Sequence, residues 1–293
     1  MSVFLAELSA AIGRATGEAF TATDSRGVAG GDISQAFRLG DGARTFFVKV
    51  QPGARLAMFE AEAAGLAALQ AAQAITVPRV ICQGVAAARA FLVLEHLPFV
   101  SQGDASRLGR LLAQQHRIGA ARFGWTRDNW IGATAQANAW TEAWVDFWRE
   151  HRLGLQLRLA ADNGYGGALQ RDGEILLANL PVFFADYHPA PSLLHGDLWG
   201  GNHAYLRDGT PVIFDPAVYF GDRECDLAMS ELFGGFAPAF HAAYREAWPL
   251  DAGFAARKTL YNLYHILNHA NLFGGGYAAQ AARMTAQLLA HIR

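Results

Sequence analysis

The chain has 293 residues, 52% of them hydrophobic, with 24 basic and 26 acidic side chains and a formal net charge of −2. That length and apolar content suit a two-lobed unit with a sizeable core, and the balanced charge argues against a general nucleic-acid surface. Cys82 and Cys225 form no metal or disulfide pattern, no apolar run is long enough to span a bilayer, and Glu7 interrupts an apolar start that lacks a basic leader, so a reducing, cytoplasmic setting is expected.

The helical spacing of Phe4, Leu5, Leu8 and Ile12 predicts a helix over 2–16. Gly30-Gly31 reads as the tip of a hairpin whose second arm alternates from Ile33 to Leu39. After the Gly40-Asp41-Gly42 turn, a strand over 44–50 carries Lys49 at its far end. A lysine in an apolar strand calls for a partner. A helix over 56–73 follows at once, with Glu60 and Glu62 facing different directions. Phe59, Ala63, Leu66 and Leu69 mark its buried stripe, and Glu60 reads as solvated. Strands over 77–81 and 90–94 lead into Glu95-His96-Leu97-Pro98, which ends the sheet.

Beyond this point the pattern is mostly helical, and the fold class expected is α+β. Amphipathic spacing predicts a helix over 105–118. The loop from Phe123 to Gly132 is rich in aromatics, which read either as core anchors or as stacking partners of a sugar ring, the former being commoner. A long helix is expected over 140–161, with Arg149, Arg152 and Arg158 on a solvated face, and another over 174–184, stopped before Pro189 and Pro191. Helices over 237–248, 254–272 and 277–292 close the chain. Asn262, His265, Asn268 and His269 share helical spacing and read as hydrogen-bonded structure.

The stretch from Leu193 to Glu231 holds the chemistry. His203 to Leu206 and Val212 to Phe214 read as two strands joined by the turn formers Arg207 to Pro211. Asp197 and Asn202 then enter a hairpin that Asp215 leaves, and the entrance and exit of a hairpin are neighbours. Phosphoryl transfer needs such a trio. One carboxylate orients the attacking hydroxyl and accepts its proton; a second carboxylate and an amide hold magnesium on the phosphates. An Asp, an Asn five residues later and an Asp beyond a short hairpin have the spacing of the protein-kinase core. Gly196 stands where protein kinases carry Arg, so control by a phosphorylated loop paired to that Arg is not expected. A rival reading takes His195, Asp197, His203 and Asp215 as ligands of a metal-dependent hydrolase, which leaves the Lys49 and Glu62 segment without a purpose.

LLHGDLWGGN and PVIFDPAVYFGDRECDLAMSELFGGF resemble the fructosamine kinase (ketosamine-3-kinase) family of the protein kinase-like, aminoglycoside phosphotransferase-like superfamily. The Trp after HGDL and the string DPAVYFGDRE separate it from aminoglycoside and choline kinases. The resemblance implies a two-lobed fold: an N-lobe over 1–95 with an antiparallel sheet and one key helix, and a larger, mostly helical C-lobe over 96–293. It implies ATP and Mg²⁺, with Gly30 and Gly31 over the phosphates, Lys49 fixed by Glu62, the peptide groups of Glu95 and Leu97 on the adenine edge, Asn202 and Asp215 on the metal, and Asp197 as the catalytic carboxylate. His195 would brace the loop and Asp226 would hold its amides. Asp222 or Glu224 are candidates for the substrate amine, with Arg223 as a simpler ion-pair partner. The acceptor implied is the 3-hydroxyl of a ribulosamine, erythrulosamine or fructosamine, free or on a protein lysine, which makes a deglycation activity. The segment NLFGGGY lines the acceptor pocket in the resembled family. Many members carry a Cys near the position of Asp32; this chain has none, so redox control there is not expected. The alternatives are a kinase of an aminoglycoside- or choline-like alcohol, and a nucleotide-binding module without turnover.

Overall fold

The computed structural model describes residues 2–28 and 34–292. The expected Gly30-Gly31 hairpin tip lies outside them. Two compact units emerge, Met1–Asp104 with Ala204–Asp215, and Ala105–His203 with Pro216–Arg293.

The first unit opens with α1 (Val3–Thr16), capped by the Ser2 hydroxyl, which accepts a hydrogen bond from the Leu5 N–H,. Phe4, Leu8 and Ile12 are buried as their spacing requires,. A five-stranded sheet follows, built from β1 (Asp24–Gly27), β2 (Gln35–Gly40), β3 (Thr45–Pro52), β4 (Val80–Ala86) and β5 (Arg89–Glu95), with α2 (Leu56–Ala72) between β3 and β4. Its order is β1-β2-β3-β5-β4, antiparallel throughout. β4 starts three residues later than its apolar run suggests, since Pro78 has no N–H to give a ladder. The period of two along β3 decides the site. Phe46, Val48 and Val50 point into a core shared with α1, so Lys49 faces the other side of the sheet. On α2, Phe59, Leu66 and Leu69 are buried, and Glu62 falls in line with them at helical spacing,.

The second unit contains α3 (Ala105–His116), the hairpin β6 (Asn129–Ile131) and β7 (Thr134–Gln136), α4 (Trp144–Trp148), α5 (Gly154–Asp162), α6 (Ala168–Ala178) and β8 (Ser192–Leu194). The hairpin of β9 (His203–Tyr205) and β10 (Pro211–Ile213) comes next, then β11 (Tyr219–Gly221), α7 (Glu224–Leu232), α8 (Pro238–Ala247), α9 (Phe254–Phe273) and α10 (Gly276–Ile292). β8 and β11 pair antiparallel, Leu194 opposite Tyr219.

Three local expectations change. The helix foreseen over 140–161 begins at Trp144 and is interrupted by a π-helical turn over Arg149–Leu153; a Cβ on Gly154 would lie 2.3 Å from the Arg149 carbonyl, so the wide turn needs glycine there. The helix foreseen over 174–184 lies earlier, at α6, because Pro181 ends it and a short 3-10 turn takes over,. Arg152 is fully buried rather than solvated.

The β9–β10 hairpin from Ala204 onward belongs to the first unit because of its bonds. Val100 and Tyr205 exchange backbone hydrogen bonds of 2.7 and 3.0 Å, and the Ile213 N–H donates to the Thr76 carbonyl at 3.1 Å. The Phe99 and Phe214 rings stack with centroids 4.9 Å apart. Among the described residues no helix is long and apolar enough to cross a membrane.

Candidate active site

In the first unit Lys49, Glu62 and Asp215 come together. The Lys49 ammonium donates to both Glu62 carboxylate oxygens at 2.8 and 2.9 Å and to Asp215 Oδ1 at 3.0 Å. The Lys49 and Glu62 side chains are 12% and 14% exposed, while that of Asp215 is 43% exposed. Burial pulls the ammonium toward neutrality, but the carboxylates of Asp215 and Glu62 outweigh it and hold Lys49 above its ordinary pKa,. A charged lysine is thus fixed on the sheet with one rigid partner and one exposed one. Asp215 itself adopts a left-handed backbone, φ 56°. This conformation is uncommon for a residue with a side chain, and the more so ahead of a proline.

In the second unit Asp197 and Asn202 come together on the loop after β8. The Asn202 amide nitrogen donates to the Asp197 carbonyl at 2.9 Å and to its Oδ2 at 3.2 Å. That use of the nitrogen assigns any metal ligation by Asn202 to its Oδ1. The loop hangs from Asp226, near the start of α7. Asp226 accepts from the His195 N–H at 2.7 Å and the Gly196 N–H at 2.9 Å, and its Oδ2 lies 3.1 Å from His116 Nε2. Burial pushes this carboxyl up, but His116 and the loop amides outweigh it and hold Asp226 below the usual carboxylate range. Its expected role as the holder of the loop amides is therefore visible. His195 braces the turn as expected, its Nδ1 accepting from the Asp197 N–H at 3.3 Å and its carbonyl from the Ala217 N–H at 2.9 Å. Gly196, at φ 84°, sits against the Ala217 carbonyl, and a Cβ would come within 2.1 Å of it. No other residue fits where kinases with a phosphorylated loop carry Arg.

Beside this loop lies an aromatic surface. Trp199, Phe233 and Phe273 are 40%, 39% and 54% exposed. Ring centroids run Trp199 to Phe233 at 6.5 Å, Phe233 to His269 at 4.8 Å and His269 to Phe273 at 5.6 Å. Exposed aromatics clustered in this way beside the Asp197 loop form an apolar surface patch rather than part of the core,. His269 also bonds the His265 carbonyl at 2.8 Å, so its structural reading holds as well.

Other expected residues stand elsewhere. Asp222 and Glu224 are fully buried and cannot reach a substrate amine. Asp222 accepts from the hydroxyls of Tyr187 and Tyr261, and Glu224 is gripped by Arg257 through bonds of 2.7 and 3.1 Å. Arg223 turns away from both, to the carbonyls of Trp248 and Pro249. At the end of the sheet the Glu95 N–H is committed to the Arg79 carbonyl at 2.9 Å, and the Leu97 carbonyl accepts from the Phe99 N–H at 3.0 Å. Among the described residues no three His, Cys, Asp or Glu side chains are arranged to hold a metal ion, so the ligand set of the rival hydrolase is not assembled. Asp215 in the first unit and Asn202 in the second each carry a hard oxygen donor of the kind magnesium takes,.

Comparison with known proteins agrees with this chemistry. Residues 4–291 match the model of the family described as fructosamine kinase. A probable ketoamine kinase of Synechocystis is 49% identical over 281 residues, 95% of this chain and 94% of that one. The chloroplastic protein-ribulosamine 3-kinase of Arabidopsis thaliana is 41% identical over 90% of this chain and 82% of its own. The crystal structure of a candidate fructosamine-3-kinase from Haemophilus somnus superposes with a TM-score of 0.89 at 30% identity, covering 96% of each chain. An aminoglycoside phosphotransferase, solved as a ternary complex with AMP-PNP and hygromycin B, shares the fold at a TM-score of 0.60 and 13% identity over 97% of this chain and 98% of its own. The chain, as its HGDLW and DPAVYFGDRE strings led one to expect, belongs to the fructosamine kinase family and is a phosphotransferase with the protein kinase-like fold.

Proposed function

We propose that this protein transfers the γ-phosphoryl group of ATP to the 3-hydroxyl of a ketosamine, a ribulosamine, erythrulosamine or fructosamine, as a free amine adduct or on a protein lysine. The observation that carries the reading is the Lys49 ammonium held between Glu62 and Asp215. A buried lysine kept charged on the face of a sheet is suited to bind phosphate,. The names of the Synechocystis and Arabidopsis relatives, a ketoamine kinase and a ribulosamine 3-kinase, support the acceptor.

Magnesium, when bound with ATP, neutralises charge on the β- and γ-phosphates. Asp215 and the Oδ1 of Asn202 are the residues that would hold it. Lys49, oriented by Glu62, aligns the phosphate tail, and the family resemblance adds Gly30 and Gly31 as phosphate-binding candidates. The carbonyl of Glu95 and the N–H of Leu97 take the adenine edge, since the Glu95 N–H is already spent. Asp197 orients the sugar hydroxyl and receives its proton as the oxygen bonds to phosphorus and ADP leaves. The aromatic surface from Trp199 to Phe273 receives the acceptor beside it. Positioning and electrostatics, rather than covalent catalysis, supply the rate.

The test is steady-state turnover of a ribulosamine and a fructosamine with ATP and Mg²⁺. Asp197→Asn is expected to lose on the order of 10³-fold in kcat, within the range for a positioned base, with its melting temperature held. Equal turnover by the variant would remove Asp197 from this role, and a preference for an aminoglycoside or choline acceptor would replace the substrate.

A further inference from the structure

We propose that a buried chain of amides anchored on Arg152 is a positioning device for the metal carboxylate Asp215, an inference that rests on the function proposed above. Arg152 is fully buried, yet its hydrogen bonds go to neutral oxygens: the carbonyls of Ala137 at 2.6 Å and His151 at 2.9 Å, and Asn138 Oδ1 at 2.7 Å. Its guanidinium lies over the rings of Tyr219 and Phe147, 4.0 and 4.6 Å from their centroids. A charge in such a place is costly unless dipoles answer it. The dipoles that answer it continue in a line. The Asn138 amide donates to Asn129 Oδ1 at 2.9 Å, and the Gln136 amide to the same oxygen at 2.8 Å. Tyr264 donates its hydroxyl proton to Gln136 Oε1 at 2.7 Å.

The far end of the line is backbone. The Asn129 amide donates to the Val218 carbonyl at 2.8 Å, and the Gln136 amide to the Ala217 carbonyl at 3.2 Å. These are the peptides that directly follow Asp215-Pro216. Asp215 is held at φ 56° before a proline, a conformation that persists only where the surrounding structure over-determines it,. The His195 carbonyl holds the N–H of Ala217, and the amide chain holds the Ala217 and Val218 carbonyls, so three consecutive peptide groups after Pro216 are each anchored by a hydrogen bond. Asn129, Gln136 and Asn138 are 6%, 0% and 1% exposed, so no water competes for these bonds. A connected buried network of this kind specifies one arrangement. Partners one shell behind a metal ligand typically set 10–100-fold of its metal affinity.

The experiment measures Mn²⁺ binding by electron paramagnetic resonance in the presence of a non-hydrolysable ATP analogue, alongside thermal melting. It compares the wild type, Gln136→Met and Asn268→Leu. Asn268 is an equally buried amide of the same unit, bonded to Gln156 and the Ile131 carbonyl instead. Gln136→Met is expected to weaken Mn²⁺ binding about tenfold, and Asn268→Leu to lower the melting temperature with less than a twofold change in Mn²⁺ binding. Should Gln136→Met fail to fold, Gln136→Leu, which also removes the amide that donates to both Asn129 Oδ1 and the Ala217 carbonyl, takes its place, and the same weakening is expected. Unchanged Mn²⁺ affinity in the Gln136 variant, or an equal loss in both variants, overturns the positioning role. A wild type that binds the analogue without Mn²⁺ overturns instead the metal assignment to Asp215, and the inference with it.

Discussion

Lys49 meets its two carboxylates through side chains alone, whereas Asp197 rides on a loop whose peptide groups are themselves bonded. In the first unit one ammonium sits between two carboxylates, and the most exposed of the three, Asp215, is the one that, on the function proposed above, would exchange the ammonium for a metal. In the second unit the Asp226 carboxylate, 1% exposed, ties down two consecutive N–H groups, and Gly196 closes the loop against Ala217. Groups that exchange partners during a reaction are held by side chains that can rearrange. The group that must stay put is held by main chain. The contrast predicts that damage to the loop anchor is felt in folding, and damage to the grip in turnover.

The largest effect should follow Asp226→Ala. It strips His195, Gly196 and His116 of a shared buried acceptor. Removing one member of a buried, hydrogen-bonded charge cluster costs about 3–5 kcal/mol, so urea unfolding should show a loss of that order. A loss below about 1 kcal/mol, the level of an exposed ion pair, would erase the distinction between the two halves.

Which parts of this were legible in the chain follows from the physics of each contact. Helical spacing only told Glu60 from Glu62, and the family resemblance picked Glu62, whereas Lys49 stands on a regular strand and Asp197, Asn202 and Asp215 at hairpin ends, where periodicity and turn signals place residues. β3 and α2 were found within a residue or two for the same reason. Asp226 was found because a carboxylate in the first turn of a helix has few other uses. Arg152 was missed because charge on a helix normally means solvent, and only its aromatic neighbours in the fold, Tyr219 from far along the chain among them, make burial tolerable. Asp222 and Glu224 were read as candidates for the substrate amine or as partners of Arg223 because nothing local announces Tyr187, Tyr261 or Arg257. Asn129 stood out only as part of a family-like segment and Gln136 not at all, because their partners are carbonyls about 80–90 residues away. Long-range polar contacts have no period to read.

On the grip side, Lys49→Met should lose roughly 10²–10³-fold in kcat/KM, about 3–4 kcal/mol of transition-state stabilisation. Its stability should fall by only about 1–2 kcal/mol, because Glu62 can take up a proton and Asp215 is close to solvent,. Kinetics and urea unfolding on one preparation check both halves. A stability loss as large as that of Asp226→Ala would sink the comparison.

The two regions should also answer differently to pH. His265, on α9 of the second unit, is buried, and burial lowers its pKa from 6.5 to about 3. Below pH 6.5 the unfolded chain takes up a proton that the folded protein refuses. Stability therefore falls as pH falls, by about 1.4 kcal/mol per pH unit until the folded value is reached, or roughly 2 kcal/mol between pH 6.5 and 5. Asp226, lowered from 3.8, adds its loss only at more acid pH, as pH drops through its folded value. Lys49 has the opposite sign: raised above 10.5, it contributes fully below that value and is lost only above it. Urea midpoints from pH 7 to 5 should decline in the wild type, and His265→Gln should flatten the decline.

The smallest effect, and the finest probe of the grip, belongs to Glu62→Gln. The amide oxygen can still accept from Lys49, so geometry is nearly kept while one of two negative charges is lost. With residue 62 neutral, Asp215 is the carboxylate left to the ammonium and is gripped more tightly. That bond must break for Asp215 to serve a metal, so the variant should bind Mg²⁺ and ATP more weakly and turn over about tenfold more slowly, some 1.4 kcal/mol. Its unfolding should barely move. Raising Mg²⁺ well above the wild-type requirement should recover part of the loss, because the cation competes directly with Lys49 for the carboxylate. A deficit that ignores Mg²⁺ would mean that Glu62 orients Lys49 only toward phosphate, and that the Lys49–Asp215 bond has no part in the working cycle.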